Sequence, residues 1–403
     1  MKFDFTSVID RTGQDSIAID SVGVKRLGSE PDRPREGFDF IPMWVADMSF
    51  ATCPTVVEAI RKRLDHPLFG YSRTRQEYYD RIIQWQMVRH GHEGLQTEYI
   101  GYENGVHGFI TSAIQILSQP GDKVLVHRPT YVGFSMDIQQ QGRVPVYSEL
   151  IQDEQGIYRM DYEDMDTKLK ENKIHVAIFC SPHNPTGRVW ERWELEKAME
   201  VFEKNECYVI SDEIWSDILM SGHPHIPTQQ VNEWAKQHTA AAYALSKTFN
   251  LAGMSASYHV IYNPYLRDRI CAYSAHTSYN YQSVLTMHAL LGAYSETGYE
   301  WVEELNQVLE QNCRYMVEKL NSVEGVRVQM PEGTYMLFVD FTGYCARTGK
   351  TQQDILKAGW AVGVGWQNGI SFGGPCHIRM NLAVPFSLVQ EAWRRLKTYV
   401  LTE

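Results

Sequence analysis

Four short apolar segments, each followed closely by a residue of distinct chemistry, place the strongest constraint on how this chain folds. The segments and the residues that follow them are 123–128 with Tyr131, 175–180 with Asn184, 207–211 with Asp212, and 239–245 with Lys247. Short apolar runs of this kind are typical of strands buried in a parallel sheet, and the stretches between them have helical spacing. We therefore predict an α/β fold that delivers these four side chains to one sheet edge, where open parallel sheets bind ligands.

Lys247 has the most demanding environment of the four. It follows a run of small apolar residues at 239–245, and burial of a lysine disfavours the charged form of its amine. A partly desolvated amine is the nucleophile that Schiff-base enzymes use. Considered alone, a lysine at a strand end more often extends its amine into solvent, so the neighbouring strand ends decide between the two interpretations.

An amine, a carboxylate, an amide and an aromatic ring at one edge suit pyridoxal 5'-phosphate. The Lys247 amine would bond the cofactor aldehyde, and the Asp212 carboxylate would keep the pyridine nitrogen protonated so that the ring accepts electrons. The Asn184 amide would hydrogen-bond the phenolic oxygen, and the Tyr131 ring would lie over the pyridine face. These residues predict a pyridoxal-phosphate enzyme in which Lys247, Asp212 and Tyr131 are catalytic.

Several motifs resemble those of a known enzyme family. Ser-Pro-His-Asn-Pro-Thr-Gly at 181–187, Ser-Asp-Glu-Ile at 211–214 and Ser-Lys-Thr-Phe-Asn-Leu-Ala-Gly at 246–253 are similar, in this order, to the fold-type I pyridoxal-phosphate enzymes. Met-Trp-Val-Ala-Asp-Met-Ser-Phe at 43–50, Phe-Gly-Tyr-Ser at 69–72, Trp85 followed by Arg89-His90-Gly91, and Pro-Glu-Gly-Thr-Tyr at 331–335 narrow the resemblance. They resemble the cystathionine β-lyase branch, the MalY/PatB-type C–S lyases of the aspartate aminotransferase superfamily.

The resemblance implies a two-domain architecture and a dimer. We expect residues 46–290 to form a large cofactor domain on a mostly parallel sheet, and residues 1–45 with 291–403 to form a smaller α+β domain. The family also implies a homodimer with shared active sites, because Tyr71 aligns with a tyrosine that reaches the phosphate in the neighbouring subunit. The alternative for Tyr71 is a tyrosine packed at a turn.

The cofactor phosphate needs an anion site. Gly105, Val106 and His107 open a predicted helix over 105–117, and backbone N–H groups at a helix start favour an anion. The Ser246 hydroxyl can add a donor. Much of the superfamily has an arginine eight residues after the lysine, but this chain has Ser255 there, so one charge-assisted contact is missing. The departure favours the lyase branch, whose members often lack that arginine.

The substrate carboxylate also needs a partner. The alternating segment 377–382 predicts a strand that places His377, Arg379 and Asn381 on one face. An arginine among apolar neighbours is usually salt-bridged for structural reasons, but the family pattern assigns Arg379, with Asn184, to the α-carboxylate of the substrate. A guanidinium fork suits a carboxylate in two-point contact.

The resemblance implies a C–S β-lyase that converts cystathionine-like or cysteine-derived amino acids to pyruvate, ammonia and a thiol. Transamination between an amino acid and a 2-oxo acid uses the same residues, so an aminotransferase is the alternative. Trp215 in place of the usual histidine, His107 in place of a small apolar residue, and Trp366 indicate a pocket for something other than plain cystathionine, and a racemase stays open. A non-catalytic regulatory protein would be expected to have lost Lys247 or Asp212.

Composition and charge argue against other classes. The formal net charge of −11 argues against nucleic-acid binding, which favours basic surfaces, and no apolar run approaches membrane-spanning length. The first 25 residues carry four aspartates, so we expect no secretory signal and a cytoplasmic protein. The seven cysteines are scattered, which predicts free thiols. We predict no metal, and we expect His223-Pro-His225 to lie in a loop.

The last helix has the clearest signals of local structure. Ser387 with Gln390 predicts a capping box at its start. A stripe of apolar residues at helical spacing predicts the face that packs on the core; it contains Val389, Trp393, Leu396 and Val400.

Overall fold

The computed structural model describes residues 1–26 and 28–402. Its α-helices are α1 Ile17–Asp20, α2 Pro54–Leu64, α3 Gln76–His90, α4 Val106–Leu117, α5 Val132–Gln140, α6 Tyr162–Asn172, α7 Arg192–Lys204, α8 Glu233–His238, α9 Leu245–Thr248, α10 Pro264–His276, α11 Val284–Ala293, α12 Glu296–Asn321, α13 Thr342–Thr348, α14 Gln352–Ala361 and α15 Phe386–Tyr399. Its β-strands are β1 Ile41–Pro42, β2 Ile100–Asn104, β3 Lys123–Arg128, β4 Val144–Gln152, β5 Tyr158–Met160, β6 Val176–Cys180, β7 Tyr208–Asp212, β8 Thr239–Ala244, β9 Ala256–Val260, β10 Met336–Asp340, β11 Val364–Gly365, β12 Gln367–Asn368 and β13 His377–Asn381.

An eight-stranded sheet has the order β2-β9-β8-β7-β6-β3-β4-β5. Strands β8, β7, β6, β3 and β4 are parallel to one another, and β9 and β5 run antiparallel to their neighbours β8 and β4. Strand β2 is antiparallel to β9, so it points the same way as the parallel strands. The carboxyl ends of these six strands share one edge, and the predicted α/β fold with a mostly parallel sheet is confirmed.

The parallel strands are apolar throughout because successive side chains enter two different cores. Val176 and Ile178 of β6 pack in a cluster with residues of α4, α5 and α10. Ala177 and Phe179 of the same strand pack on the other face, with residues of α6, α7 and α8. This double burial explains why the segment 175–180 reads as one continuous apolar run.

Two smaller sheets lie in the N- and C-terminal parts of the chain. Strands β10, β13 and β12 form an antiparallel sheet, and β1 pairs in parallel with β11. Helix α15 buries the predicted apolar stripe, since Val389 and Leu396 are inaccessible to solvent and Trp393 is 8% exposed.

The predicted capping box at the start of α15 is wrong. The helix begins at Phe386, Pro385 occupies the N-cap position, and no side chain caps it. Ser387 therefore lies inside the first turn, where it is exposed. Proline has a fixed φ and no N–H, so it starts this helix by restricting the backbone and not by accepting a hydrogen bond.

The contacts divide the chain into two compact units. The large unit contains Thr52–His183 and Arg188–Val302, and the small unit contains Met1–Ala51, Asn184–Gly187 and Glu303–Glu403. The predicted domain division at 46 and 290 stays a prediction. In the described part of the chain, no helix is both long and apolar enough to cross a bilayer, and the cysteines there form no disulfide.

Candidate functional site

The large unit gathers most of the predicted cofactor residues at the carboxyl edge of its sheet. Asp212 is the last residue of β7 and pairs in register with Ala242 of the adjacent strand β8. Lys247 follows β8 on the short helix α9. Tyr131 comes three residues after β3 and is the N-cap residue of α5, and Gly105 connects β2 to α4. The predicted meeting of these residues at one edge follows from the shared direction of their strands.

The Asp212 carboxylate is buried at this edge. Its Oδ1 accepts a hydrogen bond of 3.0 Å from the Ile214 N–H. Burial raises the pKa of Asp212 to about 6, although the positive charges of His107 and Lys247 act in the opposite direction. The charges of these two residues do not offset the cost of burying this carboxylate, and a cationic ring nitrogen placed against it would add positive charge there.

Lys247 lies on a turn that a buried carboxylate anchors. Its Nζ is 5.6 Å from the centre of the Trp215 ring, and that ring is buried. The next residue, Thr248, donates a hydrogen bond of 3.0 Å to Asp217. The Trp85 indole donates to the other oxygen of the same carboxylate at 3.1 Å. Asp217 thus ties the lysine turn to helix α3, a positioning role that the sequence motifs did not reveal.

Basic residues of α3 complete the surroundings of Asp217. Arg89 Nε lies 3.5 Å and His90 Nε2 3.1 Å from its Oδ1. Burial alone would raise the pKa of Asp217, but its contacts with His90 and Arg89 outweigh burial and lower that pKa to about 2. Trp85, Arg89 and His90 of the Trp85–Gly91 motif therefore surround the Asp217 carboxylate, which holds the lysine turn.

The start of α4 fits an anion. Gly105 has φ of +81°, a conformation that favours glycine, and no side chain caps the helix that begins at Val106. The Gly105 N–H donates to the Ser255 carbonyl at 3.1 Å. Ser255, which stands where much of the superfamily has arginine, therefore fixes the backbone before this helix. Ser246 is half-buried on α9, and its phosphate contact stays a prediction.

His107 makes contacts that were not anticipated from the sequence. Its Nδ1 is 2.6 Å from Asp137 Oδ2, and its Nε2 is 3.2 Å from the Tyr131 hydroxyl. The hydrogen bond with Asp137 raises the pKa of His107. Gly133 makes room for this arrangement, because a Cβ there would lie 2.4 Å from His107 Cε1 and 2.5 Å from Tyr131 Cε1.

The small unit contains the predicted carboxylate partner. Arg379 of β13 is 3% exposed, and its Nη1 donates a hydrogen bond of 3.0 Å to Asn184 Oδ1. Its Nη2 donates to the Trp44 carbonyl at 3.2 Å and to Gln367 Oε1 at 2.5 Å. Neutral oxygens thus orient the guanidinium, and Gln367 is a contributor that sequence reasoning missed.

The contacts of Asn184 are those of the small unit. Although Asn184 follows β6 by four residues, it clusters with the small unit and not with the large one. Its Oδ1 accepts a hydrogen bond from Arg379, so its amide NH2 group is not used in this contact. The hydrogen bond from this NH2 group to the phenolic oxygen of the cofactor stays a prediction.

Exposure to solvent bears on three other residues that the sequence singled out. Tyr71 is 99% exposed, so the alternative of a tyrosine packed at a turn is wrong. His223 and His225 lie in a loop as expected, where His223 is exposed, but His225 is buried and its Nε2 lies 2.8 Å from Glu213 Oε2. Trp366 is buried and its indole donates to the Leu356 carbonyl at 3.0 Å.

Comparisons with known sequences identify the family of the chain. The profile of one family, aminotransferase class I and II, matches residues 39–396. Cystathionine beta-lyase PatB of Bacillus subtilis strain 168 is 33% identical over 383 residues, which cover 93% of this chain and 97% of the relative. An aspartate aminotransferase of Bacillus sp. strain YM-2 is 24% identical over 371 residues, which cover 91% and 92%.

A solved structure extends the likeness. Cystalysin from Treponema denticola, which contains a pyridoxal 5'-phosphate cofactor, matches with a TM-score of 0.89 and 30% identity over 98% of both chains. The chain belongs to the aminotransferase class I and II family of fold-type I enzymes, which use pyridoxal 5'-phosphate. Within this family it is similar to the PatB-type C–S lyases. The resemblance and the cofactor inferred from the sequence are confirmed.

We predict that Asp212→Asn stabilises the cofactor-free protein at pH 7. The native pKa of Asp212 is about 6 against an ordinary 3.8, so the folded state binds this proton more tightly than the unfolded state. The resulting stability is fully present below about pH 4 and is lost as pH rises through about 6, a difference of about 3 kcal/mol. Urea unfolding of both proteins between these pH values measures it.

Asp217→Asn is the matched control because the pKa of Asp217 is lowered. Its carboxylate contributes stability above its ordinary pKa and loses it as pH falls, so this variant should be destabilised at pH 7. If Asp212→Asn were destabilised in the same way, the assignment of Asp212 as a carboxylate short of positive charge would be wrong.

Proposed function

We propose that this protein is a pyridoxal-phosphate-dependent carbon–sulfur β-lyase. It would eliminate a thiol from cystathionine-like or cysteine-derived amino acids and release pyruvate and ammonia. The observation that carries this proposal is the 33% identity to a cystathionine beta-lyase over nearly the whole of both chains. The lysine and the carboxylate at the ends of two adjacent strands supply the chemistry that such a reaction needs.

Two side chains of the large unit act on the reacting atoms in this proposal. The bound cofactor supplies an electron sink that stabilises negative charge at the substrate Cα. Lys247 Nζ first anchors the cofactor and then, once released, takes the Cα proton as the general base. Asp212 keeps a proton on the pyridine nitrogen. A neighbouring positive charge stabilises the buried Asp212 carboxylate, so this carboxylate favours the protonated form of the nitrogen.

Other contacts hold the ends of the cofactor and the substrate. The N–H groups of Val106 and His107 at the start of α4, with the Ser246 hydroxyl, bind the phosphate. The Asn184 amide donates to the phenolic oxygen. Arg379 binds the substrate α-carboxylate through two N–H donors, and the oxygens of Asn184, Gln367 and Trp44 keep its fork oriented.

An aminotransferase is the second candidate. The same base could return its proton to the cofactor instead of allowing a thiol to leave, and the likeness to an aspartate aminotransferase favours this possibility. The lyase is preferred because the identity to PatB is higher, and because Ser255 replaces the arginine that is usual in aminotransferases.

We predict that the purified protein with bound cofactor releases pyruvate and a free thiol from L-cystathionine. The yield should not depend on added 2-oxoglutarate, because elimination consumes no amino acceptor. Coupled pyruvate detection and a thiol reagent measure the two products, and Lys247→Ala provides the inactive control. Turnover that requires 2-oxoglutarate would instead establish an aminotransferase.

Substitution of Arg379 should weaken the substrate interaction. Arg379→Ala removes a charge-assisted contact and should lower kcat/KM by about 2 kcal/mol, or roughly thirtyfold, mainly through KM. Arg379→Lys keeps the charge but loses the planar fork, so it should recover only part of the loss. Steady-state kinetics measure both, and the absorbance of the bound cofactor checks that the variants are folded. Unchanged kinetics would refute the assignment.

We also propose a homodimer in which Tyr71 serves the neighbouring subunit. Its side chain is almost completely exposed in the single chain, as a residue that acts on a partner would be. Tyr71→Ala and Lys247→Ala should each lose activity. Hybrid dimers of the two variants contain one site with both native residues, so isolated hybrids should have about half of wild-type activity, and a randomly paired mixture about a quarter.

Co-expression of differently tagged subunits followed by two affinity steps isolates the hybrids for assay. Tyr265→Ala removes another exposed tyrosine and should retain activity as a single variant. If hybrids are as inactive as their parents, Tyr71 does not act across a dimer.

A further inference from the structure

Asp137, His107 and Tyr131 form a continuous chain of polar contacts beside the lysine turn. The Asp137 carboxylate lies 2.6 Å from His107 Nδ1, and the Tyr131 hydroxyl lies 3.2 Å from His107 Nε2. Asp137 and Tyr131 both belong to the α5 region, whereas His107 is in the first turn of α4. The glycine at 133 permits the two rings to approach, since a Cβ would collide with both.

The protonation of His107 decides what the chain of contacts can do. Asp137 accepts from Nδ1, and this contact raises the pKa of His107. A positive charge in the first turn of a helix is destabilised by the helix dipole. The Asp137 carboxylate offsets this destabilisation, which an apolar residue at position 107 would not cause. An imidazolium has two N–H donors and no acceptor. In this protonated state, which the contact with Asp137 favours, the Nε2–H donates to the Tyr131 oxygen.

This donor arrangement sets the direction of the Tyr131 proton. A phenol oxygen that accepts a hydrogen bond from His107 must direct its own O–H to another group. Acceptance of a hydrogen bond from a cation also stabilises the phenolate, which makes the phenol a better proton donor. A tyrosine whose only role is to stack on the cofactor ring would need neither this hydrogen bond nor a stabilised phenolate.

The surroundings of His107 allow repeated proton transfer. The charged groups that act on it are Asp137 from α5, Asp212 from the end of β7 and Lys247 from α9. Its side chain is 51% exposed, while that of Asp137 is 14% exposed. The imidazole can therefore exchange a proton with water while its carboxylate partner stays sheltered.

We propose that Asp137 and His107 position Tyr131 as the proton donor to the thiolate that leaves in β-elimination, an inference that rests on the proposed function. When the C–S bond breaks, its electron pair goes to sulfur, the pair left at Cα by the removed proton forms the Cα=Cβ double bond, and the Tyr131 O–H gives its proton to that sulfur. His107 passes its Nε2 proton to the Tyr131 oxygen and becomes neutral. Water then returns a proton to His107. Tyr131 is the catalytic residue, and His107 and Asp137 are positioning residues.

The charge state of His107 is tested first and without any turnover. Protein labelled with 13C at histidine Cε1 is titrated by NMR, and the His107→Gln variant identifies the His107 signal. We expect the His107 pKa to lie above the ordinary 6.5 in wild type and to fall in Asp137→Asn. A pKa at or below 6.5, or one that Asp137→Asn leaves unchanged, overturns the proposal.

The proton transfer is tested with two substrates that differ in their leaving group. S-ethyl-L-cysteine releases a basic thiolate that needs a proton, whereas S-(4-nitrophenyl)-L-cysteine releases a weakly basic one that needs less help. His107→Val should lower kcat/KM for the ethyl substrate at least about tenfold more than for the nitrophenyl substrate. Tyr131→Phe should give the same pattern, and the double variant should lose little more.

The pH dependence adds a further check. Imidazolium is present below the His107 pKa, so the advantage of wild type over His107→Val with the ethyl substrate should decline as pH rises through that pKa. Equal losses for both substrates would mean that His107 only supports the structure, and would overturn the proposal. If wild type eliminates neither thiol, the lyase function itself fails, while the NMR titration still reports on the contact between Asp137 and His107.

Discussion

Burial removes the Asp212 carboxylate from water at the carboxyl end of β7, and its pKa rises to about 6 as a result. The positive charges of Lys247 and His107 lower this pKa, but burial raises it by more. Such a group is costly in an empty protein and favourable only beside a positive partner. We propose that a protonated pyridine nitrogen is this partner, in which case relief of the burial cost would add to the affinity for the cofactor.

The rest of the large unit keeps this edge rigid. Parallel alignment of β7 and β8 sets the spacing between Asp212 and the turn of Lys247. Asp217 accepts from Thr248 beside that lysine and from Trp85 of α3. Glu213, the neighbour of Asp212, is buried and contacts His225 and Tyr243. Each reactive side chain is thus adjacent in sequence to one that is fixed in the core.

Strands and helices with a clear apolar pattern could be predicted from the sequence. Contacts between residues that are distant in the sequence could not. Continuous apolar runs identified β6, β7 and β8 because both faces of these strands are buried. The partnerships of His107 with Asp137 and of Thr248 with Asp217 link residues about 30 positions apart, and no local pattern marks them. The start of α15 was misplaced because a capping motif can occur by chance inside a first turn. Burial of His225 depends on Glu213, which a short His-Pro-His motif does not predict.

The protonation of the cofactor ring nitrogen is the most direct measure of whether Asp212 does what its burial implies. Enzyme reconstituted with pyridoxal 5'-phosphate labelled with 15N at the ring would be followed by NMR across neutral and mildly alkaline pH. We predict a protonated nitrogen throughout in wild type, and loss of that proton in Asp212→Asn. A ring nitrogen that is unprotonated in the wild-type enzyme would contradict the account.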